Sequence, residues 1–547
     1  RGLGDVYKRQ RVTYPAGLAH CFPPVATPNY LLSGELDFTD LKTGQLDANR
    51  ISKAACGRDN GWVPANGLIY LAPKHCVCWP MLRGYVALAS DRPDGNPIQL
   101  EVGDIDFRLT KERDPPSVTK TNLADQWPCY RHDSWRSGST ASGGPDNLET
   151  VWTTPLGDGR VIEGPITQDW DENPFVKGPV TPPVISEGMV FVAKPDSHQV
   201  VALSADDGEQ AWEFTADGRV DTPPTIHEGL CLFGTKNGTV YCLQASDGQV
   251  IWSLRAAPMD EQIVAYGALE SPWPVPGSVL IVEDAAYFAA GRQSFADGGI
   301  LVFKVDPPSG KVQWVQRLDS VPQQGFYRSS GLEFDNFDLL FRQGDGVAMS
   351  RWLFNRDDGE MSVEPWSAFA LLNTGGGTSI VPQGSWSYAP RNQSRTKTFS
   401  PKRPLVVFRD NQLVGCTEGK QSLYRCEFDE EGIKAFDRKW ITGWANSSAS
   451  REEGGVAWRS QRLAEDATWS IDIYDEENKE DSIDAMVMAK GKLYLAGSDG
   501  QLQIRSIDDG QLLNEKSIPV PTWDGMAIAN GRMYITSRDG QVLCLGE

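Results

Sequence analysis

The chain has 547 residues, of which 40% are apolar and 10% aromatic, and this composition excludes a chain that is disordered from end to end. Its 73 acidic and 52 basic side chains give a net charge of −21, which argues against DNA or RNA as a partner because nucleic-acid phosphates are also negative. No apolar run approaches the roughly 18 residues that cross a bilayer, and the 54 glycines, 36 prolines and 18 tryptophans are typical of many short strands and tight turns.

The first ten residues, RGLGDVYKRQ, do not resemble the rest of the chain. Asp5 to Gln10 can be encoded by GAT GTG TAT AAG AGA CAG, which looks like the transposase end sequence of sequencing libraries. We interpret residues 1–10 as an adapter artefact rather than as a short basic arm. The chain is then a fragment of a longer bacterial protein whose natural N-terminus is missing.

Two strand-and-turn units follow. YLLSGELDFTDLKTGQL begins at Tyr30 and has Gly44 in a turn, and NGLIYLAPKHCVCWPMLRGYVALAS begins at Asn66. We interpret both as degraded copies of the repeat described below. Residues 91–148 are rich in Asp, Pro, Ser and Lys and lack a period, so they are predicted to form an insertion or wrapping loop. VWTTPL from Val151 is then expected to complete the second unit as its outer strand.

A period of 40 residues is the clearest signal in the chain. PPVISEGMVFVAKPDSHQVVALSADDGEQAWEF from Pro182 aligns with PPTIHEGLCLFGTKNGTVYCLQASDGQVIWSL from Pro223. Short alternating apolar runs are separated by Asp, Gly, Asn and Ser, so each unit reads as several antiparallel strands rather than as helices. The repeat positions are Gly208 with Trp212, Gly248 with Trp252, Gly310 with Trp314, and Gly500 and Gly540, which are again 40 apart.

The repeat predicts an all-β propeller of about eight four-stranded blades, or seven, spanning residues 11–547 with long inserted loops. Packing blades face to face would bury both faces of each sheet, and tryptophan would fill the gap between neighbours. The signal weakens between about 320 and 480, which we interpret as an irregular region, and the stretch from Ser470 as a solvated loop. Because the last unit ends without its final strand, we expect Tyr30 to Leu46 to close the ring.

The core A-x-D-G-x-x-x-W, as in SADDGEQAW and QASDGQVIW, resembles the pyrroloquinoline-quinone-like (PQQ-like) propeller repeat. That family includes quinoprotein dehydrogenases and the non-enzymatic lipoprotein of the outer-membrane β-barrel assembly machine. The stretch WPCYRHDSWRSG from Trp127 further resembles propeller proteins of planctomycete-type bacteria that have no assigned role. The resemblance implies a periplasmic or cell-envelope location.

The resemblance in the repeat does not imply that this chain binds the quinone. Quinoprotein dehydrogenases place an adjacent Cys-Cys disulfide against the quinone and a calcium or lanthanide ion beside it, whereas no two of the ten cysteines here are adjacent. No nucleophile triad, phosphate loop or zinc-protease motif is present either. We therefore predict no cofactor and no catalytic residues, since fold does not imply function.

A group of cysteines and histidines lies near the N-terminus. Cys56, His75, Cys76 and Cys78 are soft ligands that suit zinc or copper, although they lack the two-residue spacing of zinc knuckles. A disulfide such as Cys56 to Cys76 or Cys78, or buried free thiols, explains the same residues. The other cysteines in strand-like runs are expected in the core.

The aromatic residues Trp127, Tyr130, His132 and Trp135 form a second group with two interpretations. They could line a binding site, but such a cluster more often plugs one end of a propeller or packs an insertion onto it.

Two functions remain. The first is a non-catalytic propeller that presents loops to a protein or other ligand, which requires no catalytic motif. Its negative charge favours a basic or neutral partner. The alternative is a quinone- or metal-dependent redox enzyme, which rests on the repeat and on the cysteine and histidine group. The sequence favours the scaffold over the enzyme.

Overall fold

A computed structural model describes most of the chain. The described residues are 24–33, 37–48, 62–71, 86–90, 105, 108–116, 125–157, 179–265, 268–292, 299–318, 340–349, 352–363, 369–373, 378–382, 405–416, 421–427, 431, 467–478 and 480–547. The chain divides into two compact units, Arg1–Pro97 with Ile263–Ala268 and Ile98–Gln262 with Leu269–Glu547. The repeat predicts one propeller over residues 11–547, and the predicted artefact at residues 1–10 lies outside the described residues.

The first unit contains two small antiparallel sheets. Its strands are β1 (Val25–Ala26), β2 (Tyr30–Ser33), β3 (Asp37–Asp40), β4 (Leu46–Ala48), β5 (Val63–Ala65), β6 (Leu68–Leu71) and β7 (Val86–Leu88). Strands β1 to β4 form one sheet and β5 to β7 the other. The sheets share a core of Leu32, Trp62 and Leu71, and the Trp62 indole N–H donates to the Ser33 carbonyl at 3.2 Å. Gly44 lies in the β3–β4 turn with a φ of 74°.

The second unit is built almost entirely from strands. These are β8 (Leu109–Lys111), β9 (Ser139–Thr140), β10 (Thr150–Pro155), β11 (Val184–Ser186), β12 (Met189–Lys194), β13 (Gln199–Ser204), β14 (Gln210–Thr215), β15 (Thr225–His227), β16 (Leu230–Gly234), β17 (Thr239–Gln244) and β18 (Val250–Arg255). After β19 (Ile263–Ala265), which is grouped with the first unit, come β20 (Ala268–Glu270), β21 (Leu280–Val282), β22 (Ala285–Ala290), β23 (Ile300–Val305), β24 (Val312–Leu318), β25 (Leu340–Gln343), β26 (Gly346–Met349), β27 (Trp352–Phe354) and β28 (Met361–Val363).

The remaining strands are β29 (Phe369–Asn373), β30 (Thr378–Pro382), β31 (Val406–Arg409), β32 (Gln412–Cys416), β33 (Ser422–Glu427), β34 (Trp469–Asp472), β35 (Ile483–Ala489), β36 (Lys492–Gly497), β37 (Gln501–Ser506), β38 (Leu512–Ser517), β39 (Pro521–Ala529), β40 (Arg532–Ser537) and β41 (Gln541–Leu545). Short 3-10 helices lie at Pro195–Ser197 and Glu476–Asn478. None of the helices in the described part of the chain is long and apolar enough to span a membrane.

The strands of the second unit form a propeller. In the described part of this unit, seven sheets each contain an antiparallel meander of four strands, namely β11–β14, β15–β18, β21–β24, β25–β28, β31–β34, β35–β38 and β39–β41 with β10. First strands contact one another from β11 through β15 and β21 to β25 and from β31 through β35 to β39, β39 contacts β11, and β30 contacts β31. The predicted all-β propeller fold is therefore confirmed. The two-stranded sheet of β29 and β30 falls between the fourth and fifth of these sheets in the sequence, and the blade number of about eight stays a prediction.

Strand β10 closes the ring, which corrects two expectations. VWTTPL pairs with β41, with Thr153 opposite Leu543, and so completes the sheet of β39 to β41 rather than the unit that begins near Gly67. Tyr30 to Leu46 are not the closing strands, because they pair among themselves in β2 to β4. The last sheet lacks a fourth strand of its own, and a segment about 390 residues earlier supplies the missing hydrogen-bond partners.

The predicted insertion at 91–148 contributes strands to two sheets of the propeller. Strand β8 pairs with β18 as a fifth strand of its sheet, with Leu109 opposite Leu254, and β9 pairs in parallel with β35. Within the region from 320 to 480 that we interpreted as irregular, β25 to β34 form regular hairpins. The stretch from Ser470 is not only a solvated loop, since its first residues form β34 and Tyr474 is buried.

The sheets are apolar on both faces because each lies between two others. Strands β12 and β13, with sequences MVFVAK and QVVALS, are buried at every central position. First and second strands are joined by two-residue turns such as Glu187-Gly188, where both residues have a positive φ as hairpin turns require. We call the end of the ring that bears the first–second and third–fourth turns the turn face. The other end, with the second–third turns and the connections between sheets, we call the connection face.

Candidate functional site

The tryptophans of the repeat join neighbouring sheets. The indole N–H of Trp212 donates to the Ala245 carbonyl of the next sheet at 2.9 Å, and Trp252 donates to Pro307 at 2.8 Å. The acceptor always lies three residues before a turn glycine. The same bond is made by Trp152 to Ala205 at 3.1 Å, Trp314 to Arg356 at 3.1 Å and Trp469 to Ile507 at 3.0 Å.

The turn glycine lies under the tryptophan of the preceding sheet. Gly248 has a φ of 71°, and a Cβ at this position would lie 2.6 Å from the Trp212 ring. Side chains other than hydrogen are therefore excluded both by the backbone conformation and by the contact. Gly208 and Gly310 stand in the same relation to Trp152 and Trp252.

Gly500 and Gly540 occupy a different turn. Both lie between the second and third strands of their sheets, with φ of 75° and 80°, whereas Gly208 and Gly248 lie between the third and fourth. The position that matches Gly248 in the sheet of β35 to β38 is Gly510, which faces Trp469. The 40-residue spacing is real, but the two pairs of glycines mark two different positions of the repeat.

A single segment runs along the first strands of the sheets inside the ring. We call residues 125–140 the axial segment. Its backbone bonds successively to the sheets: Trp127 pairs with Ile185, and the carbonyls of Pro128, Ser134, Ser137 and Gly138 accept the N–H groups of Ile226, Arg342, Phe408 and Met488. The Asp125 carbonyl accepts the N–H of Asn530 beside β39. Hydrogen bonds of one segment thus reach six of the seven four-stranded sheets.

Arg136 makes the bond to the seventh sheet. Its side chain is completely buried, and Nη2 donates to the Ser278 carbonyl beside β21 at 3.1 Å. Nε donates to the Leu340 carbonyl at 3.2 Å, and Nη1 donates to the Tyr130 carbonyl at 2.9 Å. Burial lowers the pKa of Arg136 below its ordinary value. These acceptors are carbonyls, so the guanidinium links strands through hydrogen bonds rather than through an ion pair.

Arg131 forms a buried ion pair with Asp524. The Arg131 Nη1 lies 2.7 Å from the Asp524 carboxylate, which also accepts the Tyr130 hydroxyl at 2.8 Å. Arg131 Nη2 donates to the carbonyl of Val406 on β31. Burial raises the pKa of Asp524, and Arg131 opposes this shift. Asp524 has a φ of 55° and lies at a break in the β39–β40 register, which turns its side chain toward the axial segment.

The aromatic residues of the axial segment belong to the packing rather than to an open site. Trp127 and Tyr130 are each only 2% exposed. The Trp127 and His132 rings meet edge to face at 4.9 Å, and Arg342 stacks over the Trp135 ring at 5.0 Å. The space beside Trp127, Tyr130 and Asp524 is too tight to admit a water molecule. Of the two interpretations, the plug fits this geometry.

A second polar cluster lies on the connection face, and we call it the ion network. Arg219 contacts Asp196 at 2.6 Å and Asp221 at 2.9 Å. Lys236 contacts Asp221 at 3.3 Å and Glu270 at 3.9 Å. Arg292 pairs with Glu270. Three cations and three anions compensate one another, and they come from three consecutive sheets, so the network ties the connections of these sheets together.

Burial sets the protonation of the ion network. Burial lowers the pKa of Lys236 to about 8, although Asp221 opposes the shift. Burial alone would raise the pKa of Asp221, but Arg219 and Lys236 outweigh it and hold the pKa below its ordinary value. No sequence pattern predicted this network, because charged residues at turns are ordinarily solvated.

The predicted metal or disulfide residues cannot be placed. Cys56, His75, Cys76 and Cys78 lie outside the described residues, so their role stays a prediction. The cysteines that are described are buried, and burial raises the pKa of Cys129 to about 12. Cys231 and Cys242 lie in β16 and β17 and are fully buried core residues.

The described residues bring one group of potential metal ligands together. His227, Glu228 and Asp284 lie on two turns of the turn face, and their ligand atoms are all within 4.8 Å of one another. This group does not match the arrangement that the quinoprotein resemblance implies, which requires adjacent cysteines and calcium held by Glu, Asn and Asp. No quinone chemistry is derived from these residues.

The repeat residues 143–325 match the family model described as "Outer membrane protein assembly factor BamB". The chain contains PQQ-like propeller repeats. It is 26% identical over 122 residues to the BamB assembly factor of Yersinia pestis, which is 22% of this chain and 27% of that protein. It is 25% identical over 101 residues to BamB of Moranella endobia (strain PCIT), which is 18% of this chain and 25% of that protein. The matches therefore span about a quarter of these relatives.

Solved structures with a similar fold include proteins of both kinds named by the resemblance. BamB from Moraxella catarrhalis is 13% identical, with a TM-score of 0.32, over 73% of this chain and 98% of that one. Quinohemoprotein alcohol dehydrogenase from Comamonas testosteroni is 11% identical, with a TM-score of 0.42, over 78% of this chain and 81% of that one.

Proposed function

We propose that this chain is a non-catalytic propeller scaffold in the cell envelope that binds a protein partner through the loops of its connection face. The axial segment carries the proposal. Because its backbone and Arg136 bond to all seven four-stranded sheets, the interior of the ring is used for structure. A rigid ring of this kind fixes the positions of the loops around it, which suits a docking surface.

The connection face offers the longer loops. Residues 216–224 join β14 to β15, whereas the first–second turns on the other end have two residues. Long loops on a rigid framework commonly carry binding. The ion network beneath this face holds the connections near Arg219 and Glu270 in place.

The partner is proposed from the relatives and from the charge. The two curated relatives are outer membrane protein assembly factors by name, and we extend that role to this chain, with a protein of outer-membrane assembly as its partner. The net charge of −21 favours a basic or neutral surface on that partner. Binding that depends on such charges weakens as salt rises.

Biolayer interferometry tests the proposal, with an outer-membrane β-barrel protein diluted from urea as the probe and the immobilised chain as the receptor. We expect saturable binding that weakens with salt. Asp217, Asp499 and Asp539 are exposed on the connection face, so replacing all three by Asn should weaken binding. Asparagine retains the carbonyl acceptor, so the local hydrogen bonds of these residues are preserved.

A matched control removes the same charge from the opposite end of the ring. Asp206, Asp357 and Asp508 are exposed at the same repeat position of the turn face, and their triple Asn variant should bind like the wild type. Equal weakening in both triple variants would show that only net charge matters. Absence of saturable binding would contradict the proposed partner.

The redox alternative is tested with the same preparation. We expect the chain, supplied with pyrroloquinoline quinone and calcium, not to oxidise alcohols or sugars, because hydride transfer to a quinone needs a positioned base and a cation at the quinone carbonyl. Dye reduction is measured against heat-denatured protein. Calcium-dependent reduction above that control would favour the enzyme over the scaffold.

A further inference from the structure

The first–second turns of the seven sheets fall into two groups. In four of them the second turn residue is glycine, namely Gly188, Gly229, Gly491 and Gly531. In the other three this position is Asp284, Asp345 or Asn411, and Asp284 lies in the turn between β21 and β22. An exposed carboxylate therefore stands where four sibling turns have no side chain.

The preceding turn directs a second carboxylate toward this position. At the boundary one sheet earlier, the carboxylate of Glu187 accepts the backbone N–H of Gly229 at 3.0 Å, so a glutamate at the first turn position reaches the turn of the next sheet. Glu228 occupies that same first position one repeat later. The residue that it faces is Asp284, and His227 precedes it at the end of β15.

These three side chains converge without a counter-charge. Their ligand atoms lie within 4.8 Å of one another, and His227 Nε2 is 3.9 Å from a Glu228 carboxylate oxygen. In the part of the chain that is described, no lysine or arginine forms an ion pair with Glu228 or Asp284. Two carboxylates this close repel each other unless a cation lies between them.

We propose that His227, Glu228 and Asp284 bind a divalent transition-metal ion of the Zn²⁺ type, which links the sheet of β15 to β18 to the sheet of β21 to β24. One imidazole and two carboxylates are ligands that Zn²⁺ accepts, and water completes the coordination where Asp284 faces solvent. Ligand atoms around a tetrahedral Zn²⁺ lie roughly 3.4 Å apart, so small side-chain rotations suffice. The ion joins two blades, as the tryptophan bonds do nearer the outer strands.

Titration of the full chain with Co²⁺ and Zn²⁺ tests the site, with Zn²⁺ binding followed by calorimetry and Co²⁺ binding by its absorption spectrum. Asp284→Gly is the decisive variant because it restores the residue of the sibling turns and should fold. We expect Asp284→Gly and His227→Ala each to weaken Zn²⁺ binding by at least about tenfold. Zn²⁺ should raise the Tm of the wild type and not that of Asp284→Gly, since binding to the folded state stabilises it.

Asp345→Gly is the matched control, because Asp345 is an exposed acid at the same second position of the turn between β25 and β26 and lies outside the trio. It should bind Zn²⁺ like the wild type. Unchanged Zn²⁺ binding in Asp284→Gly overturns the proposal. A Co²⁺ spectrum dominated by thiolate charge transfer in both the wild type and Asp284→Gly also overturns it. The second result would assign the ion to cysteines such as Cys76 and Cys78.

Discussion

The axial segment and the two repeats from Pro182 to Leu254 hold the same ring together in different ways. In the repeats, each sheet bonds to its neighbours, and Trp212 reaches the next sheet through one hydrogen bond to Ala245. The axial segment instead bonds to sheets all around the ring, including those of Ile185 and Phe408. The repeats set the spacing between blades, and the axial segment holds the blades about a common centre.

This difference indicates where stability is local and where it is shared. A fault in one repeat loosens one boundary, as in other repeat architectures where each unit contacts its neighbours. A fault in the axial segment removes bonds to several sheets at once. Substitutions in the axial segment should therefore destabilise the chain more than substitutions at a single boundary between repeats.

The largest effect is expected for Arg131→Met. This substitution leaves Asp524 buried without its cation and removes the donor to the Val406 carbonyl, so it should lower the free energy of unfolding by about 5 kcal/mol, the upper end of the cost of breaking a buried ion pair. Urea unfolding followed by tryptophan fluorescence measures the change.

A double variant separates the ion pair from the packing. Arg131→Met combined with Asp524→Leu leaves no unpaired buried charge, and it should be more stable than Arg131→Met alone. If the single variant loses less than about 1 kcal/mol, the axial segment does not hold the sheets together as we describe.

Trp252→Ala is expected to cost about 4 kcal/mol, within the range for deleting a well-packed large aromatic side chain. Trp252 is only 1% exposed, and its indole donates to the Pro307 carbonyl of the next sheet. Trp252→Phe keeps a ring but loses this bond, so it should cost about 1 kcal/mol. Thermal and urea unfolding of both variants give the comparison. Equal losses in the two would assign the whole effect to the hydrogen bond and contradict a packing role.

The repeats could be predicted because neighbouring blades are also neighbours in the sequence. A contact between Trp212 and the turn of the next sheet recurs with the same period as the chain itself, so Gly208, Gly248 and the tryptophans mark it directly. The all-β propeller follows from the same alternation of apolar and turn residues. The distinction between Gly248 and Gly500 was missed, because glycine occupies two turns of each unit and spacing alone cannot tell them apart.

The axial segment and the closing strand could not be predicted in this way. The partners of Trp127 to Gly138 are strands from Ile185 to Met488, and no period links them to the segment. The composition of VWTTPL is that of any outer strand, so it does not identify a partner. VWTTPL pairs with β41 because the sheet of β39 to β41 lacks a fourth strand of its own. The trio of His227, Glu228 and Asp284 was missed because its members come from two different repeats.

The smallest effect concerns the ion network, which is non-repetitive like the axial segment but spans only three sheets. Burial lowers the pKa of Lys236 to about 8, below its ordinary value of 10.5, so the unfolded chain holds a proton that the folded chain releases between these pH values. The contribution of Lys236 to stability should therefore rise with pH from about 8, by roughly 1 kcal/mol per pH unit or less, and it adds to an opposite slope from buried cysteines such as Cys129, whose pKa is raised.

Lys236→Met should remove this rise, because the variant has no proton to release. The measurement is the free energy of unfolding at several pH values between about 8 and 9.5, below the range where tyrosines of the unfolded chain lose protons. Lys492→Met is the control, since Lys492 is a partly exposed lysine paired with Asp146 and should leave the rise in place. If the free energy of unfolding changes with pH by the same slope in the wild type and in Lys236→Met, then Lys236 keeps its charge in the folded state. Asp221 and Glu270 would stabilise that charge. All members of the ion network would then stay charged, and its ion pairs would persist at every pH up to the ordinary pKa of lysine.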